Sequence, residues 1–304
     1  MKSGQNTAAV FNLIRGSFVD GWGIRTTIFL KGCPLSCRWC CNPEGQSTEP
    51  ELAITPEDCT YCGLCADICP HLLLPDDVGP VVDRDLCGNC GSCARICPTN
   101  ALTMFGELYT VDRAFEVLIR DKAYYDRSGG GVTIGGGEAT FSSEFTFDLM
   151  KRLQAEGIHV AIDTCGYMTS PLSLKILEQA DLILFDIKGM DNERHIADTG
   201  VDNGGIIETL MHLGRLGKDI IIRLPLIPGR NDDEATLVKE AALISSVGSV
   251  RRIDLMPYHE FGVVKYPRLG LVYPLDGESP MPRERAEEIA EIFRKTGIPT
   301  QIGG

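Results

Sequence analysis

Thirteen cysteines in 304 residues constrain this chain more than any other feature, and eleven of them fall into three spaced groups. The first group is Cys33, Cys37 and Cys40, at C-x3-C-x2-C spacing. It sits on a loop with Gly32 and Pro34, directly after Arg25–Lys31, a β-branched and apolar run that reads as a strand. Three thiols can bind three irons of a four-iron cluster and leave the fourth iron open. An open coordination position is what distinguishes a reactive metal site from a structural one. The competing reading of these three cysteines alone is a zinc site.

The other two groups form an internal repeat. Cys59-x2-Cys62-x2-Cys65-x3-Cys69-Pro70 is followed by Cys87-x2-Cys90-x2-Cys93-x3-Cys97-Pro98. The two dodecamers start 28 residues apart and agree at eight of twelve positions. Zinc knuckles are the alternative, but the x3-Cys-Pro ending belongs to iron–sulfur modules. The segment 55–103 resembles a bacterial ferredoxin with two 4Fe-4S clusters. In that motif the fourth cysteine of each run ligates the other cluster. The resemblance thus implies one cluster on Cys59, Cys62, Cys65 and Cys97, and another on Cys87, Cys90, Cys93 and Cys69. So short a segment buries little apolar core, so its clusters are expected to hold it together.

Thiols in such number point to metal ligation in a reducing compartment rather than to disulfides. Met1–Val10 has one lysine and no long apolar stretch, so no secretory leader is expected. No run approaches the ~18 apolar residues of a membrane span. The expected location is the cytoplasm, without a membrane partner. A net charge of −13 argues against nucleic acid, whose phosphates demand a basic surface.

Outside 55–103 the pattern alternates. Helical periodicity covers Val111–Tyr125, Ser143–Glu156 (with a serine N-cap), Leu172–Gln179, Asn203–Leu216, Asp232–Ser246 and Arg283–Thr296. Strands are expected at Gly131–Ile134, His159–Asp163, Asp181–Ile187, Ile220–Ile227 and Arg252–Met256, with a short tail strand at Pro299–Ile302. With the first strand this makes six βα units, hence a parallel sheet. Polar residues recur just past the strand ends, where parallel α/β folds carry their sites. Six units are too few for a closed eight-fold barrel. The expected fold is α/β, a partial (β/α)6 barrel over 1–54 and 104–304 with a ferredoxin-like domain inserted at 55–103.

With Trp39 before its last cysteine, the first group resembles the signature of the radical S-adenosylmethionine (SAM) enzymes. Gly136-Gly137-Glu138 is similar to that family's GGE motif. Asp20-Gly21-Trp22-Gly23-Ile24-Arg25 is similar to the D-G-x-G-x-R element of the activating enzymes of glycyl radical enzymes, with Trp22 where proline is usual. Asp163-Thr164, Asp186-x-Lys188, Arg223 in I-I-R-L-P-L-I-P-G and His259 in L-M-P-Y-H-E-F-G complete the resemblance, which covers nearly the whole chain.

The resemblance implies that Cys33, Cys37 and Cys40 hold the catalytic cluster, and that its open iron chelates SAM. Glu138 would accept from the SAM ammonium. Asp186, Lys188 and Arg223 would meet its carboxylate end, and His259 its methionyl or ribose part. Trp39 either packs or lies by the adenine. Asp163, Thr164, Asp186 and the main chain near Leu184 could hold a monovalent cation, Na+ or K+, because two aspartates facing a carboxylate need positive charge between them. Cys41 reads as a non-ligand and Cys165 as a small buried residue.

The implied activity is reductive cleavage of SAM and removal of a glycine Cα hydrogen from a partner glycyl radical enzyme. Flavodoxin or ferredoxin would supply the electron, the insert would relay it, and the activating protein would work as a monomer. Two alternatives stay open: a radical SAM enzyme acting on a small molecule or peptide with auxiliary clusters, and an electron carrier.

Overall fold

The computed structural model describes residues 6–303. Of the Met1–Val10 segment, residues 1–5 lie outside the described residues. Thirteen strands are present among those described: β1 Thr7–Ser17, β2 Arg25–Leu30, β3 Glu51–Ile54, β4 Leu72–Leu73, β5 Val81–Val82, β6 Leu102–Phe105, β7 Glu107–Thr110, β8 Gly131–Gly136, β9 His159–Thr164, β10 Leu182–Asp186, β11 Ile220–Leu226, β12 Val250–Pro257 and β13 Thr300–Ile302. Nine of them form one sheet, in the order β13-β12-β11-β10-β9-β8-β2-β1-β7. From β2 through β8 to β13 every pairing is parallel, as βα alternation requires. Among the described residues the end strands β13 and β7 do not pair, so the barrel is open.

Two strands of this sheet lie beyond the expected pattern. β1 runs antiparallel to β2, and β7 runs antiparallel to β1. The outer half of β1 alternates between half-buried and exposed, with Asn12 and Arg15 among its residues, so the apolar run Ala8–Phe11 marks less than half of it. β7 follows the insert and reaches the sheet only when the chain returns from it.

The helices are α1 Leu64–Ile68, α2 Ser92–Ile96, α3 Val111–Leu118, α4 Lys122–Ser128, α5 Ser143–Ala155, α6 Pro171–Gln179, α7 Asn192–Thr199, α8 Gly204–Arg215, α9 Glu234–Val247, α10 Lys265–Arg268 and α11 Arg283–Arg294. The single helix expected over Val111–Tyr125 is two, α3 and α4, broken by a 3-10 turn at Ile119–Asp121. Tyr125 Oη ties them by donating to the Leu118 carbonyl at 3.0 Å. The expected serine N-cap of α5 is also revised, since Ser142 makes no capping bond there. Thr110, Ser170, Asp191 and Asp233 do cap α3, α6, α7 and α9, each accepting from a backbone N–H. Of these helices, α7 has no apolar stripe in the sequence and rests on its Asp191 cap.

One face of the parallel strands packs under the helices through Val132, Ile134, Val160, Ile162, Ile183, Phe185, Ile220 and Ile222. The opposite face carries Ala161, Leu182, Leu184 and Ile221, which fill the barrel interior with Trp22 from the β1–β2 loop. The indole that replaces the usual proline thus becomes a plug, with the Arg252 guanidinium 5.0 Å over its ring. Arg25 is fully buried behind it and donates to the Trp22 carbonyl at 3.2 Å, the Val132 carbonyl at 2.6 Å and Thr133 Oγ1 at 2.7 Å.

The insert is bracketed by an antiparallel β3–β6 ladder running from Glu51↔Phe105 to Ile54↔Leu102, a few residues wider than the 55–103 segment. α1 and α2 are twins, each entered through a left-handed glycine, Gly63 or Gly91. The core there is small: Leu52, Ile54, Leu72, Leu102 and the two cysteine side chains Cys65 and Cys93.

Candidate active site

A cavity of about 270 Å³ opens at the C-terminal ends of the parallel strands. It gathers Cys33, Cys37, Trp39 and Cys40 from the loop after β2, Gly136 from the end of β8 with Gly137 just past it, and Asp163 and Thr164 from β9. Asp186 ends β10 and Lys188 lies just past it, Arg223 comes from β11 and His259 from the segment after β12. Of the expected site residues near SAM, Glu138 and Leu184 do not line it.

The cysteine loop is pinned by main-chain bonds. Gly32 N donates to the Gly45 carbonyl at 2.8 Å, and Ser36 N and Arg38 N donate to the Thr199 and Asp198 carbonyls of α7 at 2.8 and 3.0 Å. Tyr266 Oη donates to the Cys40 carbonyl at 3.0 Å. The glycines at the end of β8 have their reason here. A Cβ on Gly137 would lie 2.3 Å from the Gly45 carbonyl oxygen and 2.5 Å from that of Gly32, so the loop can press on this strand end only without side chains. Burial raises the Cys33 and Cys37 thiols above their ordinary range and pushes Cys40 up to about 12. Such thiols ionise readily only against a bound cation, and coordinated iron is one. Cys41 also lines the cavity, beside the triad.

Charge in the cavity does not balance. Asp163 Oδ2 pairs with Arg223 Nη1 at 3.0 Å, Asp20 Oδ1 lies 3.8 Å from Arg223 Nη2, and Asp186 Oδ2 pairs with Lys188 Nζ at 2.8 Å. Three carboxylates therefore face two cations. Burial, with Asp186 and Asp20 nearby, outweighs Arg223 and raises Asp163 to about 7. Burial alone would lower Arg223 and Lys188, but the carboxylates hold both above their ordinary values. Two buried polar atoms on the lining residues have no partner among the described residues, Asp163 Oδ1 and Trp39 Nε1. An acceptor in a negatively charged pocket fits an ammonium or a metal cation, and an indole N–H fits a ring nitrogen or carbonyl. The donor set and the charge thus suit SAM, which carries an ammonium, a sulfonium and one carboxylate.

Glu138 departs from its expected role. Its carboxylate is buried and saturated by protein: Oε1 accepts from Thr140 N at 3.0 Å, Thr140 Oγ1 at 2.8 Å and Thr164 Oγ1 at 2.9 Å, and Oε2 from Cys165 N at 2.8 Å. It fastens the loops after β8 and β9 instead of presenting an acceptor to ammonium. The same bonds commit the Thr164 hydroxyl proton. Leu184 packs its side chain into the barrel interior, and its main chain lies in the ladder beside Asp163 and Ile221. Asp163, Thr164 and Asp186 share the cavity, but among the described residues no three His, Cys, Asp or Glu side chains converge as a single ion site.

Trp39 packs against the cluster of Ile227, Tyr258, Tyr266 and Tyr273 while also lining the cavity. The His259 ring stacks 4.5 Å from Phe261, its Nδ1 accepts from Phe261 N at 3.3 Å, and burial lowers its pKa. Cys165 is buried, as expected, and also lines the cavity. Asp20 and Tyr258 are cavity residues that sequence reading missed. Asp20 stands in the D-G-W-G-I-R motif, which was a usable signal. Tyr258 carried none beyond its place next to His259.

In the insert, a second small cavity is lined by Cys59, Cys62, Cys65 and Cys97, three thiols of the first run with the last of the second. Cys93 has Cys69 and Cys87 as its near thiols. The first grouping mixes the two runs, and in the second Cys69 joins Cys87 and Cys93.

Known proteins resemble this chain over nearly its whole length. The profile of the Radical SAM superfamily matches residues 87–241, and that of the 4Fe-4S binding domain matches residues 52–72. The choline trimethylamine-lyase activating enzyme of Oleidesulfovibrio alaskensis is 37% identical over 98% of this chain and 98% of its own. The trans-4-hydroxy-L-proline dehydratase activating enzyme of Clostridioides difficile is 39% identical over 97% of this chain and 99% of its own. Among solved structures, Streptococcus suis SuiB bound to its precursor peptide SuiA superposes with a TM-score of 0.54 at 13% identity, covering 90% of this chain and 46% of that one, a likeness of fold.

Proposed function

This chain belongs to the radical SAM superfamily and, within it, to the activating enzymes of glycyl radical enzymes, and on that premise we propose that it cleaves SAM reductively and installs a glycyl radical in a partner protein. A four-iron cluster on Cys33, Cys37 and Cys40 would supply one electron to SAM, breaking a sulfonium C–S bond to leave methionine and a 5′-deoxyadenosyl radical that takes the glycine Cα hydrogen. The partner is a glycyl radical enzyme, the electron comes from flavodoxin or ferredoxin, and the protein acts as a cytoplasmic monomer.

One observation carries the reading: three thiols, two bare glycines and an unbalanced set of three carboxylates against two cations line a single cavity. SAM brings one net positive charge to it. Asp163 Oδ1 accepts from its ammonium, or coordinates a monovalent cation beside its carboxylate. Arg223 and Lys188 take the carboxylate, and Trp39 and His259 border the adenosyl end. The residues bind, orient and exclude water, so no general base is needed. Three 4Fe-4S clusters complete the complement, two of them on the crossed sets of the insert.

The test is anaerobic. The reconstituted, reduced protein with SAM should release 5′-deoxyadenosine, and with its partner should yield a glycyl radical doublet by electron paramagnetic resonance (EPR). Absence of 5′-deoxyadenosine overturns the reading. Cleavage without radical transfer to any glycyl radical enzyme would leave SAM chemistry but refute the partner class.

A further inference from the structure

We propose that the insert clusters are ordered: the one on Cys69, Cys87, Cys90 and Cys93 neighbours the SAM cluster, and Arg84 is the positioning residue that clamps it there. This rests on the reading above that each cysteine set carries a 4Fe-4S cluster. The β3–β6 ladder serves as a ruler. At its barrel end, Glu51↔Phe105, Glu51 Oε2 accepts from Lys31 Nζ at 2.8 Å. Lys31 precedes Gly32 and Cys33, is fully buried, and also donates to the Glu44 carbonyl at 2.5 Å. The outer end, Ile54↔Leu102, lies three residues on, roughly 10 Å at the usual strand rise.

The second cysteine run is fastened to the barrel end. Asn89 Oδ1 accepts from Leu52 N at 3.0 Å, and Gly91 packs so closely that a Cβ there would lie 3.1 Å from Met104 Cγ. The cavity of Cys59, Cys62, Cys65 and Cys97 is bounded instead by Ala101 and Leu102 at the outer end. Arg84 spans the joint. Its Nη1 donates to the Leu52 carbonyl at 2.5 Å and its Nη2 to the Arg268 carbonyl at 3.1 Å. Arg268 ends α10, the helix whose Tyr266 holds the Cys40 carbonyl and whose Lys265 reaches Glu44 Oε1 at 2.6 Å. One arginine therefore links the insert to the catalytic loop through a single short helix. Its guanidinium also stands near Cys87 and Glu51. A fixed positive charge favours the reduced, more negative state of the adjacent cluster.

The experiment uses the anaerobic holoenzyme and reads EPR power saturation of the SAM-cluster signal, because a neighbouring paramagnetic cluster speeds its spin relaxation. Fast relaxation should persist in Cys62→Ser and be lost in Cys90→Ser. The reverse pattern, or equal effects, overturns the order. Should a serine variant lose both insert clusters, Arg84→Gln decides, since it removes no ligand. With iron content unchanged, the cluster that couples to the SAM cluster should shift its midpoint to more negative potential while the other stays put. No shift, or a shift of the uncoupled cluster alone, overturns the proposal. Iron for fewer than three clusters in the wild-type protein refutes the cofactor reading as well, whereas three clusters with reversed coupling refute only the order.

Discussion

Replacing Glu138 separates two roles for the third residue of the Gly-Gly-Glu motif. The Glu138→Gln side chain has nearly the same volume but carries one NH2 where an accepting oxygen stood. Oε1 serves three donors and is best kept as oxygen. The NH2 then meets Cys165 N, which bonds to Oε2 at 2.8 Å, and two donors face each other. A buried donor left without a partner costs about 1–3 kcal/mol. If local opening of the loop after β9 controls exchange, the Cys165 amide should exchange roughly 5- to 150-fold faster. Hydrogen-exchange mass spectrometry on peptides spanning residues 136–141 and 163–168, without SAM, reads this directly. Cys165 lines the cavity, so SAM affinity should fall as a consequence of the loosened loop. Unchanged exchange at Cys165 together with collapsed SAM affinity would refute the positioning role and return Glu138 to direct contact with the ligand.

Asp163, raised to about 7 by burial and like charges, is largely protonated near pH 6 in the free protein. Its contribution to stability is therefore fully present below its unfolded value of 3.8 and is lost as pH rises through about 7. A cationic ligand ionises it, so SAM binding near pH 6 should release close to one proton in calorimetry across buffers of different ionisation heat, and Asp163→Asn should abolish that release. Zero release in the wild-type protein would contradict the charge assignment. Gly137→Ala forces a Cβ against two carbonyl oxygens and should cost about 1–3 kcal/mol, measured as a lower urea midpoint and weaker cluster retention on the Cys33 loop. Cys37→Ala should remove one cluster's iron and all 5′-deoxyadenosine formation while the insert keeps both of its clusters; surviving cleavage would disprove the ligand assignment.

Much of the fold was legible because its signals are local. Ile220–Leu226, apolar but for Arg223 and Pro225, is typical of the core strands, and each strand from β8 to β12 is followed by a helix, so the sheet order could be anticipated. β1 and β7 were not legible. β1 shows only a short apolar run, Ala8–Phe11, before its polar outer half, and β7 becomes a strand only by docking on β1 after the insert returns. The break between α3 and α4 is likewise set by packing, with no proline or glycine to announce it.

Cysteine spacing alone set one group of three thiols, suited to an open iron, apart from two repeated groups of four, because ligand geometry is written in short covalent distances. The polar residues past each strand end were similarly readable, since the strand period dictates where a chain leaves the sheet. Only the tertiary structure decided how those residues divide their labour. It turned Glu138 inward onto Thr140, Thr164 and Cys165, and brought Asp20 from the β1–β2 loop to within 3.8 Å of Arg223. It also set Arg84 between the insert and α10. These are contacts between segments far apart in sequence. Their geometry depends on how closely backbones such as Gly137 and Gly45 can approach, and no local pattern encodes that.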